Sequence, residues 1–274
     1  MKSDKHPVEL RSIEFLRRNG NVTHTHLCGA NLQATDLSHE DLDIADLEKT
    51  DLSYADLSFA RLNCAILREA DLRHANLWGA QLGRAHLEHA LLQDAILYEA
   101  NLSEACMRSA DLDRAGLCRA TLSRANLRGA NLRHARLHKA ALNGAWLERA
   151  NLWAATLTEA DMSSAHLQSA SLWGTELQRV DLRYACLESV SLVGSDLRYS
   201  RLECANLSQA DLSGADLTGA VVTDARLHCS VLVNAVVCPR QLSQVKTLDG
   251  ATLPDGTKLS EENWEAEFEE WRER

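Results

Sequence analysis

Ala45-Asp46-Leu47-Glu48-Lys49, Thr50-Asp51-Leu52-Ser53-Tyr54 and Ala55-Asp56-Leu57-Ser58-Phe59 are three successive five-residue units. Each puts Leu at its centre and a small residue two positions earlier. Stepping by five from Leu47 reaches Leu27 in one direction and Val237 in the other without a slip. Of these 43 central positions 39 are Leu, and the others are Met107, Met162, Val222 and Val237. Ala fills 33 of the 43 slots two residues before them. The unit reads Ala-(Asp/Asn)-Leu-x-x.

A period of five suits neither a helix at 3.6 nor a plain strand at 2. On a helix the successive Leu would walk around every face and bury no stripe. Ala, Leu, Glu and Arg favour helix by propensity, but an unbroken series of identical units demands one geometry per unit. A chain that turns a corner every five residues satisfies it. Four corners close a square coil of about twenty residues, stacked at the inter-strand spacing of ~4.8 Å. Leu and the Ala two before it point inward, and the other three residues point out. Side chains twenty residues apart then stack one above another.

This pattern resembles the pentapeptide-repeat family over residues 25–239. The resemblance implies an all-β fold, a right-handed quadrilateral parallel β-helix. Members often carry Phe at the central position; this chain carries none there, so a nearly uniform Leu column is expected. Forty-three units over four faces give between ten and eleven coils, a rod of about 50 Å.

An open-ended rod needs covers. The expected division is an N-terminal cap over 1–24, the β-helix over 25–239 and a tail over 240–274. Residues 7–19 read as a cap helix, with Pro7 at its start, Gly20 at its stop and Val8, Ile13 and Leu16 facing the first coil. In the tail, Ser260 is positioned to cap a short acidic helix running to about Arg272, with Glu261 and Glu262 in its first turn. Trp264, Phe268 and Trp271 then form one stripe. That stripe reads as a cap on the last coil or as a dimer contact, since gyrase-protecting relatives dimerise through C-terminal elements.

The chain has 274 residues, is 45% hydrophobic but only 5% aromatic, and holds three prolines. The repeat accounts for this composition, because Leu and Ala monopolise the inward slots. No apolar run approaches the roughly 18 residues of a membrane span, and Met1 to His6 opens no signal-peptide core. The expected setting is cytoplasmic, without membrane. Eight cysteines fall in outward slots and no two are twenty apart, which agrees with a reducing compartment.

Net charge is −10 from 39 acids and 29 bases. Residues 31–60 hold eight acids and one base, Lys49, whereas residues 61–149 hold nine acids and thirteen bases. Relatives that inhibit gyrase are thought to imitate DNA with a long anionic surface; the basic waist departs from that. Nucleic-acid binding is disfavoured too, because the waist arginines spread over all four faces and a binding track needs one side. The columns instead largely alternate in sign: Glu48, Arg68, Glu88, Arg108, Arg128, Glu148; then Glu99, Arg119, Lys139, Glu159, Arg179, each with one like-charged step; then Arg84, Glu104, Arg124. These read as cross-strand ion pairs worth about 0.2–1 kcal/mol each.

Stacked aromatics are the sharper signal. Trp153 and Trp173 share one column, with Arg133 a coil before and Val193 a coil after. Beside them runs a column of small residues, Ala154, Gly174, Gly194 and Gly214. Trp78 over Tyr98 is a second expected pair. Clusters of Trp, Tyr and Arg at a surface concentrate binding energy; an aromatic ladder that only stabilises the sheet is the alternative.

His86 with Cys106 and His166 with Cys186 give two ligands each, where zinc takes four. No metal site, no cofactor and no catalytic residue is expected, since no nucleophile has a converging His and carboxylate and a filled solenoid offers no pocket. Glu40 occupies an inward slot, with His24, His26 and Lys49 as its expected partners. The expected function is therefore a non-enzymatic scaffold for an unidentified protein partner, with a homodimer through an end cap left open. The resemblance offers two alternatives, a DNA-mimicking gyrase- or topoisomerase-protecting protein and a cyanobacterial-type developmental regulator acting through protein contacts.

Overall fold

A computed structural model of the chain describes residues 26–273. The residue preceding each central Leu pairs in parallel with the residue twenty positions later. The series runs from His26 with Asp46 to Asp216 with Val236. Around Leu52, for example, its N–H donates to the Asp71 carbonyl at 2.7 Å, the Tyr54 N–H to the Arg73 carbonyl at 2.9 Å, and the Asp71 N–H to the Thr50 carbonyl at 2.9 Å. Each face contributes one short paired stretch rather than a long strand, because a corner follows at once.

The corners are uniform. The Ala55 N–H closes on the Leu52 carbonyl at 3.0 Å, and Tyr54 between them has φ +60°. Every corresponding slot from Gly29 to Asn234 has positive φ, and the residue before it does not. That combination defines a type II turn, which ordinarily calls for glycine at this position. Here histidines, arginines, glutamates and tyrosines adopt it. Four such turns per coil make the section square.

Inside, the Leu column is sealed, with most central residues at 0–1% exposure. Four buried hydroxyls that replace an inward Ala find a carbonyl: Thr50 donates to Leu27, Thr175 to Leu152, Ser195 to Leu192 and Ser230 to Leu227, at 2.6–3.1 Å. The Ser200 hydroxyl is fully buried and has no partner.

The far end departs from the expected boundary at Pro239. Helix α1, Pro239–Leu242, begins with a proline that has no N–H to offer. It puts buried Leu242 in the inward position twenty after Val222. The Gln241 side-chain amide donates to the Leu217 and Ala220 carbonyls at 2.8 and 2.9 Å, satisfying an edge that another coil would otherwise have covered. One extra residue follows, and the ladder resumes: Arg226 pairs with Thr247 and Val231 with Thr252, with Leu248 and Leu253 buried. The chain then reverses. Thr252 and Lys258 pair antiparallel, and the Leu259 N–H donates to Ala251 at 2.8 Å.

Helix α2, Trp264–Arg272, closes the described chain. Phe268 is buried, Trp264 and Trp271 pack against the core, and the Phe268 and Trp271 rings stack at 5.7 Å. The helix starts later than Ser260 suggests. The Ser260 N–H is taken by the Glu267 carboxylate and its hydroxyl accepts from the Asn263 N–H, so residues 260–263 bend. The first-turn acids are Glu265 and Glu267, not Glu261 and Glu262. The expected cap helix over 7–19 lies outside the described residues.

Candidate partner surface

The Trp153 and Trp173 indoles stack nearly parallel, 5.7 Å between centroids and 11° between planes. The Arg133 guanidinium lies over Trp153 at 4.6 Å from its ring centre, and the His134 ring meets the same indole edge-on at 4.8 Å. The Asn151 side chain accepts the Trp153 N–H at 3.1 Å, steadying the backbone where the column begins. Trp173 is 48% exposed, and the next residue in its column is the smaller Val193.

Beside the column, a Cβ built on Gly174 or Gly194 would meet nothing within 4 Å. Outward residues of this face from Asn151 to Gly194 are Asn, Ser, Trp, Val, Ala and Gly, with no ionisable group. The result is an uncharged strip with an indole ridge along one side and bare backbone along the other. Such a strip can take an apolar or planar side chain from a partner at low desolvation cost.

Trp78 and Tyr98 do not form the expected pair, although they share a column. Glycines redirect the rings. Gly79 lets the Phe59 ring lean across it, where an added Cβ would sit 2.6 Å from that ring, and Trp78 tilts onto Phe59 at 5.6 Å. Gly116 likewise leaves room for Tyr98, at 2.5 Å from such a Cβ, and Arg136 reaches Tyr98 at 5.8 Å.

The adjoining face carries a stack that the count of Trp and Tyr overlooked. Arg128 lies over Trp146 at 4.3 Å, and Trp146 stacks on His166 at 4.3 Å and 12°. The twenty-residue step would reveal it once imidazoles are counted as rings.

Five of the opposite-sign steps in the charged columns form ion pairs, while Glu48 turns to Lys49 instead of Arg68. Arg68 meets Glu88 at 3.5 Å, Arg128 meets Glu148 at 2.8 Å, Arg119 meets Glu99 at 3.4 Å, Lys139 meets Glu159 at 3.3 Å, and Arg84 meets Glu104 at 2.8 Å. Glu40 is only half-buried. Two of its expected partners go elsewhere: His26 to Asp46 at 3.5 Å, and Lys49 to Glu48 and Glu69 at 3.4 and 3.8 Å. His24 lies outside the described residues.

His86 pairs through the backbone with Cys106, and His166 with Cys186. Among the described residues no group of three or more His, Cys, Asp or Glu is arranged to hold a metal ion. Burial pushes the Cys106 and Cys186 thiols up, so neither is an activated thiolate. All eight cysteines are free. Among the described residues no helix is long and apolar enough to cross a membrane.

The Pentapeptide repeats family profile matches in eight copies, abutting or overlapping, that together run from residue 41 to residue 236. No curated protein matches the chain in sequence. Among solved structures, HetL, a pentapeptide repeat protein involved in heterocyst differentiation regulation from the cyanobacterium Nostoc sp. strain PCC 7120, is 33% identical. The match covers 90% of this chain and 97% of HetL, with a TM-score of 0.44. A pentapeptide repeat protein from the Arabidopsis thaliana thylakoid lumen is 22% identical over 48% of this chain and 85% of its own, with a TM-score of 0.33. Full-length QnrB1, a plasmid-mediated fluoroquinolone resistance protein, is 17% identical over 92% of this chain and 99% of its own, with a TM-score of 0.26.

Proposed function

The chain belongs to the pentapeptide-repeat family, and on that premise we propose that it is a non-enzymatic scaffold whose rigid rod presents fixed side-chain columns to a protein partner. Membership implies the right-handed sense of the four-sided coil. We count ten to eleven coils over 25–239 and read the tail as a cover, its Trp264, Phe268 and Trp271 stripe turned onto the rod's own core. Dimerisation would then use another surface. Eight free thiols suit a reducing, cytoplasmic setting.

The observation that carries the reading is the Arg133, Trp153 and Trp173 stack beside empty space over Gly174 and Gly194. The sealed Leu column holds these groups in place before any partner arrives, so little conformational entropy is lost on binding. The test is affinity capture from the native host with the wild-type rod and with Trp153→Ala/Trp173→Ala. Partners that depend on the ridge disappear with the double variant; an unchanged set of partners and an unchanged oligomeric state would remove this surface from consideration.

DNA mimicry is disfavoured by charge, because the +4 stretch over 61–149 interrupts any continuous anionic face. A gyrase supercoiling assay with increasing protein is expected to show no effect.

A further inference from the structure

The N-terminal coils carry a second set of exposed rings, on the face next to that of Trp153 and on the corner the two faces share. One corner of that face holds Tyr54 stacked on His74 at 4.7 Å, and the opposite corner holds His39 stacked on Phe59 at 5.2 Å. Phe59 in turn touches Trp78. Tyr54 and Trp78 are 59% and 48% exposed.

Between the two corners stands Asp56. It accepts the Ser58 N–H at 2.9 Å and the Asn76 side-chain amide at 3.0 Å, both on Oδ1. The Asn76 oxygen accepts the Trp78 N–H at 3.2 Å, so Asn76 ties the carboxylate to the indole's backbone. Asp56 makes no ion pair among the described residues. The nearby arginines are committed elsewhere, Arg61 to Asp41 and Asp43, and Arg73 to Asp71. The stretch 31–60 holds eight acids against one base, which repels an acidic partner or a nucleic acid.

We propose that this face binds an arginine-bearing basic segment of a partner protein, with a guanidinium over the exposed Trp78 ring and paired to Asp56 Oδ2. A ring's negative face and an adjacent carboxylate are complementary to a planar cation, and guanidinium stacks where ammonium does not. The site does not depend on the Trp153 ridge.

The test titrates full-length protein with a fluorescein-labelled hexa-arginine peptide, with hexa-lysine and hexa-glutamate as controls. Hexa-arginine is expected to bind more tightly than hexa-lysine, and hexa-glutamate not at all. Asp56→Asn, which keeps the Oδ1 acceptor, and Trp78→Ala should each weaken hexa-arginine about three- to tenfold. The paired Glu261→Gln/Glu262→Gln at the other end of the chain should leave it unchanged. The proposal is overturned if hexa-arginine does not bind, if Asp56→Asn and Trp78→Ala bind like wild type, or if the Glu261/Glu262 variant loses as much as Asp56→Asn.

Discussion

The Trp153 indole is held on both sides, by the Arg133 guanidinium at 4.6 Å and by the Trp173 ring at 5.7 Å. In a solenoid each coil touches only its neighbours, so a middle member of a column loses two contacts when truncated and an end member loses one. Trp153→Ala is therefore expected to destabilise more than Trp173→Ala. The difference is about 0.5–1 kcal/mol, the worth of a partly exposed cation–π contact. Denaturant unfolding of the two variants and of Arg133→Ala measures it, and equal losses would mean that the guanidinium contributes nothing.

Ile44 sits in a turn slot at φ +62° and is 49% exposed. A β-branched side chain in the left-handed region costs of order 1–3 kcal/mol, and an exposed one recovers little by packing. Ile44→Gly should raise the melting temperature. Gly174→Val is the converse: nothing obstructs a side chain there, yet φ +62° should make it destabilising by about 1–2 kcal/mol. Melting curves of both variants separate backbone strain from steric crowding.

Two buried serines five residues apart should respond in opposite directions. The Ser195 hydroxyl donates to the Leu192 carbonyl at 2.6 Å, whereas the Ser200 hydroxyl has no partner. Ser195→Ala is expected to cost about 0.5–1.5 kcal/mol, and Ser200→Ala to stabilise, because it removes an unsatisfied buried polar group. Urea midpoints at constant m-value read both.

Acid should loosen the surface ladders. The Arg73 side chain holds the Asp71 carboxyl below the usual carboxylate range, and Arg114 and Arg198 do the same for Asp94 and Asp196. Each folded value lies below the unfolded one of about 3.9. The stabilisation is therefore fully present above that value and is lost as pH falls through the folded values. Melting temperature measured from pH 6 downward should show this loss setting in below about pH 4. Arg114→Gln should flatten the slope, and added salt should shrink it, because the pairs are largely exposed.

The coil was legible in the sequence because every inward slot poses the same packing problem, and Leu with Ala solves it each time. The step of twenty also located Arg133, Trp153 and Trp173, since stacking along a column follows from backbone pairing alone. It failed at Trp78 and Tyr98, where backbone spacing was right but ring direction depended on gaps left by Gly79 and Gly116. Such gaps belong to neighbouring columns, which a rule applied within one column ignores. At the far end, the single extra residue after Leu242 hid Leu248 and Leu253 from a strict count of five. The start of α2 was misplaced because the Glu267 carboxylate, from within the helix, captures the Ser260 N–H.

Core and surface obey different periods, and length changes along the rod expose the difference. Deleting one five-residue unit returns every downstream Leu to an inward slot, so the interior is restored. The exterior is not: everything beyond the edit moves by a quarter turn. With one unit removed between Arg133 and Trp153, the indole would occupy slot 148, stacked on Arg128 instead of Arg133. Recombination in steps of five thus yields rods that fold alike and present different faces, whereas only steps of twenty return each downstream residue to its own face.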